Sequence, residues 1–232
     1  MRTTLKRLSP LILILFLVQS SVFAAPIPLV VLDAPDSSPI GQPLSFTVTF
    51  DNNGDTGYAP FIDLWIPTRG ADGGDGMSFV SAQYLGEPVD VGATRVFLDD
   101  GCISHPYLRD TDSVPIPVCG TPGDTLVVLD LPFGSFTPDQ PAAEIDVIVD
   151  ISPNADPGFP LNVQARGGFR FGATPVDDPC CDENIAGEIV STPITPTFLT
   201  VTKTNNIPEN EIATGPNFEY EWTIEVDVPN GQ

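Results

Sequence analysis

The sequence predicts an all-β protein, built as an antiparallel β-sandwich followed by the first strands of a second, incomplete sandwich. Pro and Gly make up about a fifth of the 232 residues, and both disfavour helices. Many short segments alternate apolar and polar residues with a period of two, which is typical of half-buried strands. Hydrophobic residues make up 41% of the chain, which is enough for one packed core of ordinary size.

The first 24 residues have the pattern of a secretory signal peptide. Arg2, Lys6 and Arg7 precede an unbroken apolar run, Leu11–Val18, and a small residue, Ala24, stands at the expected cleavage position. The apolar run is too short to cross a bilayer comfortably. We therefore expect export, cleavage after Ala24, and a soluble secreted protein with no membrane span in the remainder of this segment.

The first predicted strands follow directly. Pro28–Ala34 is short and apolar, and Pro43–Asp51 alternates apolar residues with Ser and Thr. The residues Asn52–Asp55 have turn chemistry, and Tyr58–Pro67 resumes the apolar pattern. A Gly- and Asp-rich loop, Gly70–Gly76, separates these strands from the next group.

The next predicted strands complete one sandwich over residues 25–192. Short strands broken by turn residues at this spacing are typical of antiparallel sandwiches. The double glycine Gly167-Gly168 in the last of them predicts a bulge or bend. The predicted strands are Met77–Leu85, Thr94–Leu98, Asp124–Leu131, Glu144–Ile151 and Phe159–Gly172.

A change in composition then predicts a domain boundary. Residues 193–198 are rich in Pro and Thr, as expected of a semi-rigid linker. Residues 199–232 begin a second pattern, with one strand at Phe198–Thr204 and a long alternating strand at Asn217–Val228. Two strands do not form a stable domain alone. We therefore expect this second sandwich to be truncated, and the chain to be the N-terminal piece of a longer protein.

Three segments resemble a known repeat family. They are Ile40–Gly54, Phe79–Ala82 and the Leu-Thr-Val-Thr-Lys-Thr segment Leu199–Thr204. They are similar to the conserved-repeat immunoglobulin-like module found in tandem in very large bacterial surface proteins. The chain departs from that module by its cysteine-bearing insertion and by the absence of Lys from its first strand. The resemblance implies an exported array of immunoglobulin-like sandwiches, with structural, adhesive or cell-surface roles and no enzymatic activity.

The charge balance excludes two classes of partner. The chain has 31 acidic residues against 9 Lys and Arg, and its formal net charge is −22. Proteins bind nucleic acid largely by neutralising phosphates with basic residues. Binding to anionic membrane surfaces likewise needs clusters of basic residues. We therefore expect neither a nucleic-acid binder nor a polybasic membrane-surface binder.

The four cysteines fit an oxidising compartment. The spacing of Cys102 and Cys119, with three prolines between them, suits a disulfide that closes a surface loop. Cys180 and Cys181 are adjacent, and a bridge between neighbours strains the backbone, so each could instead pair with a distant cysteine. We expect them to be either joined to each other or unpaired. A zinc site is the competing interpretation, but the chain has no Cys-x-x-Cys motif and its sole histidine is His105.

Calcium is the one cofactor that the sequence favours. Ca²⁺ prefers six to eight oxygen ligands, often from Asp side chains and loop carbonyls. Several pairs of Asp lie in predicted loops, although none has the spacing of an EF-hand. The alternative is that these loops are merely solvated and keep an exported protein soluble. The candidate ligands are Asp72, Asp75, Asp99, Asp100, Asp110, Asp112, Asp177 and Asp178, with further acidic residues at Asp182-Glu183.

The sequence predicts no catalytic residue. The single histidine, His105, would have to serve any Ser–His–Asp site, and no Gly-x-Ser-x-Gly motif is present. We expect it to be a surface-loop histidine. A glycosidase would need paired carboxylates beside aromatic platforms. Trp65 and Trp222 instead fit alternating core positions.

Lys203 is a candidate for an isopeptide bond. In isopeptide-forming surface domains, a first-strand Lys bonds to an Asn or Asp of the last strand with the help of a buried acid. Glu219 or Glu221 could lie near Lys203, and the required Asn would lie beyond Gln232. The alternative is an ordinary surface lysine.

Together with the sequence pattern, the resemblance to the repeat module implies a non-catalytic structural or adhesive module of a secreted bacterial cell-surface repeat protein. Its expected partners are adjacent repeats of the same chain and surface proteins or glycans. Two alternatives remain open. One is a carbohydrate-binding module, which would need exposed rather than buried aromatic residues. The other is an N-terminal accessory domain of a secreted enzyme.

Overall fold

The computed structural model describes residues 25–110, 112–174, 184–205 and 221–227, and these residues contain strands and connections but no helix. No helix long and apolar enough to cross a membrane occurs in this described part of the chain. The strands are β1 (Pro28–Asp33), β2 (Ser37–Pro39), β3 (Pro43–Asn52), β4 (Gly57–Tyr58), β5 (Pro60–Ile66), β6 (Met77–Tyr84), β7 (Glu87–Pro88), β8 (Asp90–Val96), β9 (Cys102–Arg109), β10 (Pro115–Cys119), β11 (Thr125–Asp130), β12 (Ser135–Phe136), β13 (Ala143–Ile151), β14 (Leu161–Phe169), β15 (Ile185–Ala186), β16 (Val190–Thr197), β17 (Thr200–Asn205) and β18 (Trp222–Asp227).

The first sheet has five strands in the order β1-β3-β13-β6-β7, all antiparallel. Its two central strands, β3 and β13, alternate buried and more exposed positions along their length. Apolar residues occupy the buried positions, because one face of the sheet packs on the core while the other meets solvent. The period-two pattern in the sequence therefore predicts these strands correctly.

The second sheet has the order β2-β16-β14-β5-β11-β8, and β15 pairs with β14 beside this path. All its pairs are antiparallel except that of β16 with β2, which is parallel. All seven residues of β5 are buried. A strand buried along its whole length must be covered on both faces, and β5 therefore has a layer on each side.

The main core lies between the two sheets. Phe50 of β3 packs edge to face against Phe136 and Phe169, with ring centroids 5.2 and 5.6 Å apart. Such edge-to-face contacts add to the free energy gained from burying the rings. Two sheets, antiparallel except for the pair of β16 with β2, pack over one core and form an immunoglobulin-like β-sandwich, and the predicted all-β fold class is confirmed.

A third layer covers the outer face of the second sheet. Strands β9 and β10 form a hairpin, and Leu108 and Val118 of this hairpin pack with Phe61 and Trp65 of β5. The sequence pattern predicts a surface loop here. The structure differs because the outer face of β5 is itself apolar, and burying it requires a cover.

The double glycine in β14 does not form the predicted bulge. Gly167 and Gly168 pair regularly with Ile62 and Phe61 of β5. A Cβ atom at Gly168 would lie 2.2 Å from the Phe61 ring. The glycines are therefore required by the close approach of large side chains to this strand, and not by a bend.

The predicted linker between the two domains contains regular β structure. Residues 193–197 of the predicted linker belong to β16, which pairs with β14 and β2 of the first sandwich. A Pro- and Thr-rich segment can occupy such a strand near the edge of a sheet. Strands β17 and β18 then form a separate two-stranded sheet. That these strands begin a second sandwich stays a prediction.

Some predictions fall on residues outside the described ranges. The predicted signal peptide, residues 1–24, is one of them. The others are Asp177 and Asp178, the pair Cys180 and Cys181 with the acidic residues that follow, and Glu219.

Candidate functional site

Two connections between the sheets meet at one end of the sandwich. Residues 67–76 lead from β5 in the second sheet to β6 in the first, and residues 152–160 lead from β13 back to β14. Met77 and Ile151 are paired where β6 begins and β13 ends. The Ser152 amide donates to the Gly76 carbonyl at 2.9 Å, so the two connections are joined by the backbone.

The first connection folds back on itself and turns an acidic side chain inward. The Asp75 amide donates to the Arg69 carbonyl at 3.2 Å and the Met77 amide to the Pro67 carbonyl at 2.9 Å. Gly70 has φ of +65°, and a Cβ atom there would lie 2.3 Å from Asp75 Oδ1. A glycine at this position therefore makes room for the Asp75 carboxylate inside the loop.

Three carboxylates converge where these connections meet. One ligand oxygen from each of Asp72, Asp75 and Asp156 lies within 4.8 Å of the others. Asp72 and Asp156 are exposed, whereas Asp75 is only 6% exposed. The Asp75 Oδ1 atom accepts a hydrogen bond from the Gly73 amide at 3.3 Å. The Asp75 Oδ2 atom is buried and has no hydrogen-bond partner among the described residues.

The neighbouring acids alter the titration of Asp72. A hydrogen bond with Asp75, and then the negative charges of Asp75 and Asp156, raise the pKa of Asp72 above its ordinary value.

Two other described acids of the predicted calcium set accept hydrogen bonds from backbone amides. Asp100 Oδ1 accepts a hydrogen bond from the Cys102 amide at 3.1 Å. Asp110 Oδ1 accepts bonds from the Asp112 and Val114 amides, both at 2.9 Å. These are turn-stabilising contacts. Neither these residues nor Asp99 belong to a group of three possible metal ligands in the described part of the chain.

Asp156 is absent from the sequence-based set because nothing near it in the chain marks it as a ligand. It is a single acidic residue in the turn Asn154-Ala155-Asp156-Pro157-Gly158. Only the pairing of β6 with β13 brings this turn beside the loop that contains Asp72 and Asp75.

The predicted disulfide between Cys102 and Cys119 is confirmed. These residues are directly opposite each other on β9 and β10, with Cα atoms 4.1 Å apart. The disulfide therefore closes the base of the hairpin that covers the second sheet.

A buried polar cluster joins that hairpin to the second sheet. His105 Nε2 lies 2.8 Å from Asp63 Oδ1, and Arg166 donates to Asp63 Oδ2 at 2.5 and 3.1 Å. His105 Nδ1 accepts bonds from the Tyr107 and Leu108 amides. Since Nδ1 accepts, the proton lies on Nε2 and is donated to Asp63. His105 is 2% exposed, so the prediction of a surface-loop histidine is wrong: its polar partners are all within the protein.

Next to this cluster, Tyr107 is held in its neutral form. Its hydroxyl donates to Asp130 Oδ2 at 3.0 Å. Burial and then this hydrogen bond raise the pKa of Tyr107 to about 12. The Arg170 guanidinium lies 4.8 Å from the centre of the Tyr107 ring and opposes part of that shift.

A cleft of about 730 Å³ lies beside the hairpin on the outer face of the second sheet. Trp65 contributes to its wall but is only 3% exposed, and its indole nitrogen donates to the Cys119 carbonyl at 3.1 Å. The prediction that Trp65 occupies a core position is therefore confirmed. Phe159, which is 43% exposed, and the amide side chains of Asn162 and Gln164 line the same cleft.

Lys203 and Trp222 lie on the separate hairpin β17–β18. The Lys203 ammonium is 4.1 Å from the centre of the Trp222 ring, which is a cation–π geometry. Trp222 is 46% exposed, and the other described residues of this hairpin from 221 to 226 are exposed too. Its predicted core position belongs to the second sandwich and stays a prediction with it. The isopeptide bond at Lys203 stays a prediction.

No protein-family model matches the chain, and no curated protein matches it in sequence. Among solved structures it is similar to AvmM, which catalyses macrocyclization in alchivemycin A biosynthesis (11% identity over 73% of this chain and 88% of that one, TM-score 0.42). It is also similar to a 35 kDa C-terminal fragment of the major pilin GBS80 of Streptococcus agalactiae (13% identity, 77% and 57% of the two chains, TM-score 0.35). A third similar structure is a cohesin module from a family 33 glycoside hydrolase of Clostridium perfringens (10% identity, 74% and 98%, TM-score 0.36).

Proposed function

We propose that the chain is a non-catalytic structural or adhesive module of a secreted bacterial cell-surface repeat protein. The main support for this proposal is that the described chain continues from the sandwich directly into a further sheet. Strand β16 ends at Thr197 and β17 begins at Thr200, so only Phe198 and Leu199 lie between the sandwich and the next sheet. Such a short joint suits β units arranged in series.

The exposed apolar residues of the second hairpin support this proposal. Val201, Ile224 and Val226 are all more than half exposed. A two-stranded sheet is at best marginally stable in water, and it needs further strands to cover an apolar face. We expect those strands to come from the same chain and to complete a second sandwich.

The use of the polar residues within the fold also supports a non-catalytic module. The chain contains one histidine, and both of its ring nitrogens are engaged by buried partners. The carboxylate opposite it, Asp63, is fully buried and is also paired with Arg166. These residues hold the β9–β10 hairpin on the sheet, which is a structural task.

Export is supported by the disulfide and by the N-terminal pattern. Disulfides persist in oxidising compartments and are rare in the cytosol. The test is to isolate the protein from its native cells and to label intact cells with a membrane-impermeant reagent. We expect a mature N-terminus at Ala25 and labelling without lysis. Retention of residues 1–24, with labelling only after lysis, would contradict the proposal.

A carbohydrate-binding module is the second candidate, and the cleft beside the hairpin is the observation that favours it. Sugar sites often combine an aromatic face with amide side chains, and Phe159, Asn162 and Gln164 offer both. A glycan array probed with the wild-type protein and the variant Phe159→Ala tests this idea. Binding by the wild type that is lost in a folded variant would favour the module, and absence of binding would exclude it.

A further inference from the structure

We propose that Asp72, Asp75 and Asp156 form a binding site for Ca²⁺, and that the ion fastens the β5–β6 connection to the β13–β14 connection. The site combines residues from two connections that are far apart in the chain. This calcium site is additional to the structural or adhesive role proposed above, and the proposal of the site does not depend on that role.

The first observation is the convergence of the three carboxylates. Their ligand oxygens lie within 4.8 Å of one another, although Asp72 and Asp75 share one loop and Asp156 belongs to another. Like charges at such distances repel. A bound divalent cation would convert that repulsion into attraction.

The second observation is independent of the clustering. Asp75 is 94% buried, and its Oδ2 atom has no hydrogen-bond partner among the described residues. A buried carboxylate oxygen without a partner is costly, because it has lost its hydration and gained nothing in exchange. Coordination to a cation supplies the missing interaction.

The contrast with the other acidic loops strengthens this inference. Asp100 and Asp110 are also loop residues, but they are exposed and their carboxylates accept backbone amides. The carboxylates of Asp100 and Asp110 are thus open to solvent as well as bonded to backbone amides. The loop around Asp75 differs because one buried carboxylate oxygen stays unsatisfied.

The ligand chemistry selects the ion. The group contains only carboxylate oxygens, which suit hard cations rather than zinc or copper. Mg²⁺ demands near-ideal octahedral geometry, whereas Ca²⁺ accepts irregular sets of six to eight oxygens. Two exposed carboxylates and one buried carboxylate, carried by two loops, fit Ca²⁺ better. Backbone carbonyls and water would supply its other ligands.

The test is calorimetric titration of the full chain with CaCl₂ after removal of divalent ions with EGTA. Extracellular Ca²⁺ modules bind with dissociation constants of about 0.1–1 mM, and we expect a value in that range. The variants Asp72→Asn and Asp156→Asn remove exposed carboxylates and should not impair folding. Each should weaken Ca²⁺ binding at least tenfold. Asp139→Asn removes one exposed charge elsewhere and is the matched control, with an expected change below twofold.

A thermal melt gives a second readout. With 10 mM CaCl₂ the wild-type Tm should rise by roughly 3–10 °C, as expected for a ligand at 10 to 100 times its dissociation constant. MgCl₂ at the same concentration should raise it less. The proposal is overturned if the wild type shows neither heat nor a shift in Tm with Ca²⁺. It is equally overturned if Asp139→Asn weakens binding as much as Asp72→Asn and Asp156→Asn do, because the effect would then be general charge screening.

Discussion

Asp63 lies in the middle of β5, with its carboxylate fully buried between His105 of the hairpin and Arg166 of β14. Removing one member of a buried charged cluster leaves the others without a counter-charge. We predict that Asp63→Asn lowers the free energy of unfolding by about 3–5 kcal/mol in urea titrations. Asp150→Asn, an exposed change on β13, is the control and should stay within about 0.5 kcal/mol. Equal effects of the two changes would show that the buried cluster has no special role.

Asp75 gives a second prediction at the residue scale. In Asp75→Asn, the amide oxygen can still accept the Gly73 amide, while the new NH₂ group can donate to the Asp72 and Asp156 carboxylates. We therefore expect the variant to keep or gain thermal stability without calcium and to lose the calcium-dependent rise in Tm. A variant that melts lower in EGTA yet keeps the full rise with CaCl₂ would contradict the assigned role of Asp75.

Tyr107 gives a prediction about pH. The pKa of Tyr107 is raised from the ordinary 10.0 to about 12 in the folded protein, first by burial and then by its hydrogen bond to Asp130. The neutral form is thus favoured by folding, so its contribution to stability is complete below pH 10 and is lost as the pH rises through 12. In Tyr107→Phe this alkaline loss should shrink.

The absorbance of tyrosinate near 295 nm measures this directly. Subtracting the titration of Tyr107→Phe from that of the wild type isolates one phenol, and its midpoint should lie near pH 12. A difference curve centred on pH 10 would mean that Tyr107 is exposed to solvent in solution.

Individual residues differ in how far the sequence predicts them. The pairing of Cys102 with Cys119 and the burial of Trp65 are predictable, because they depend on local spacing and on strand periodicity. His105 is misjudged because its burial depends on the apolar outer face of β5. Asp156 is missed because its place beside Asp75 depends on strand pairing between distant segments.

At the scale of elements, the β9–β10 hairpin covers the outer face of the second sheet and is closed by the disulfide. In the chain-entropy model, a crosslink over this separation of 17 residues stabilises the fold by roughly 3 kcal/mol. We predict that the double variant Cys102→Ser, Cys119→Ser lowers the free energy of unfolding by about 2–4 kcal/mol in urea. A reductant should bring the wild type to the same stability and leave the variant unchanged. A wild type insensitive to reductant would contradict this prediction.

A strand is predictable from the sequence where one of its faces is buried and the other is exposed to solvent, because apolar and polar residues then alternate. Strands β3, β6 and β13 agree closely with the sequence pattern for this reason. The sequence pattern does not predict strands β9 and β10, because their segment contains several prolines and its apolar and polar residues alternate only weakly. Strand β16 extends through residues that resemble a linker, because pairing with β14 and β2 outweighs the composition of Pro and Thr.

At the scale of the whole molecule, the chain combines a closed immunoglobulin-like sandwich, a disulfide-closed covering hairpin and a further two-stranded sheet. The two sheets and their core were predictable from periodicity and turn residues. The β9–β10 layer was not predictable. The pattern of a strand such as β5 shows that both of its faces are apolar, but it does not show which segment of the chain covers the outer face.

We propose that this sandwich is one unit of a longer, exported repeat protein. The most direct measurement is to isolate the native protein from intact cells and to sequence it by mass spectrometry through and beyond Gln232. We predict strands that complete the second sandwich, followed by further copies that begin like Leu199–Thr204. A native chain that ends soon after Gln232, or that continues into a catalytic domain rich in histidine and paired acids, would contradict it.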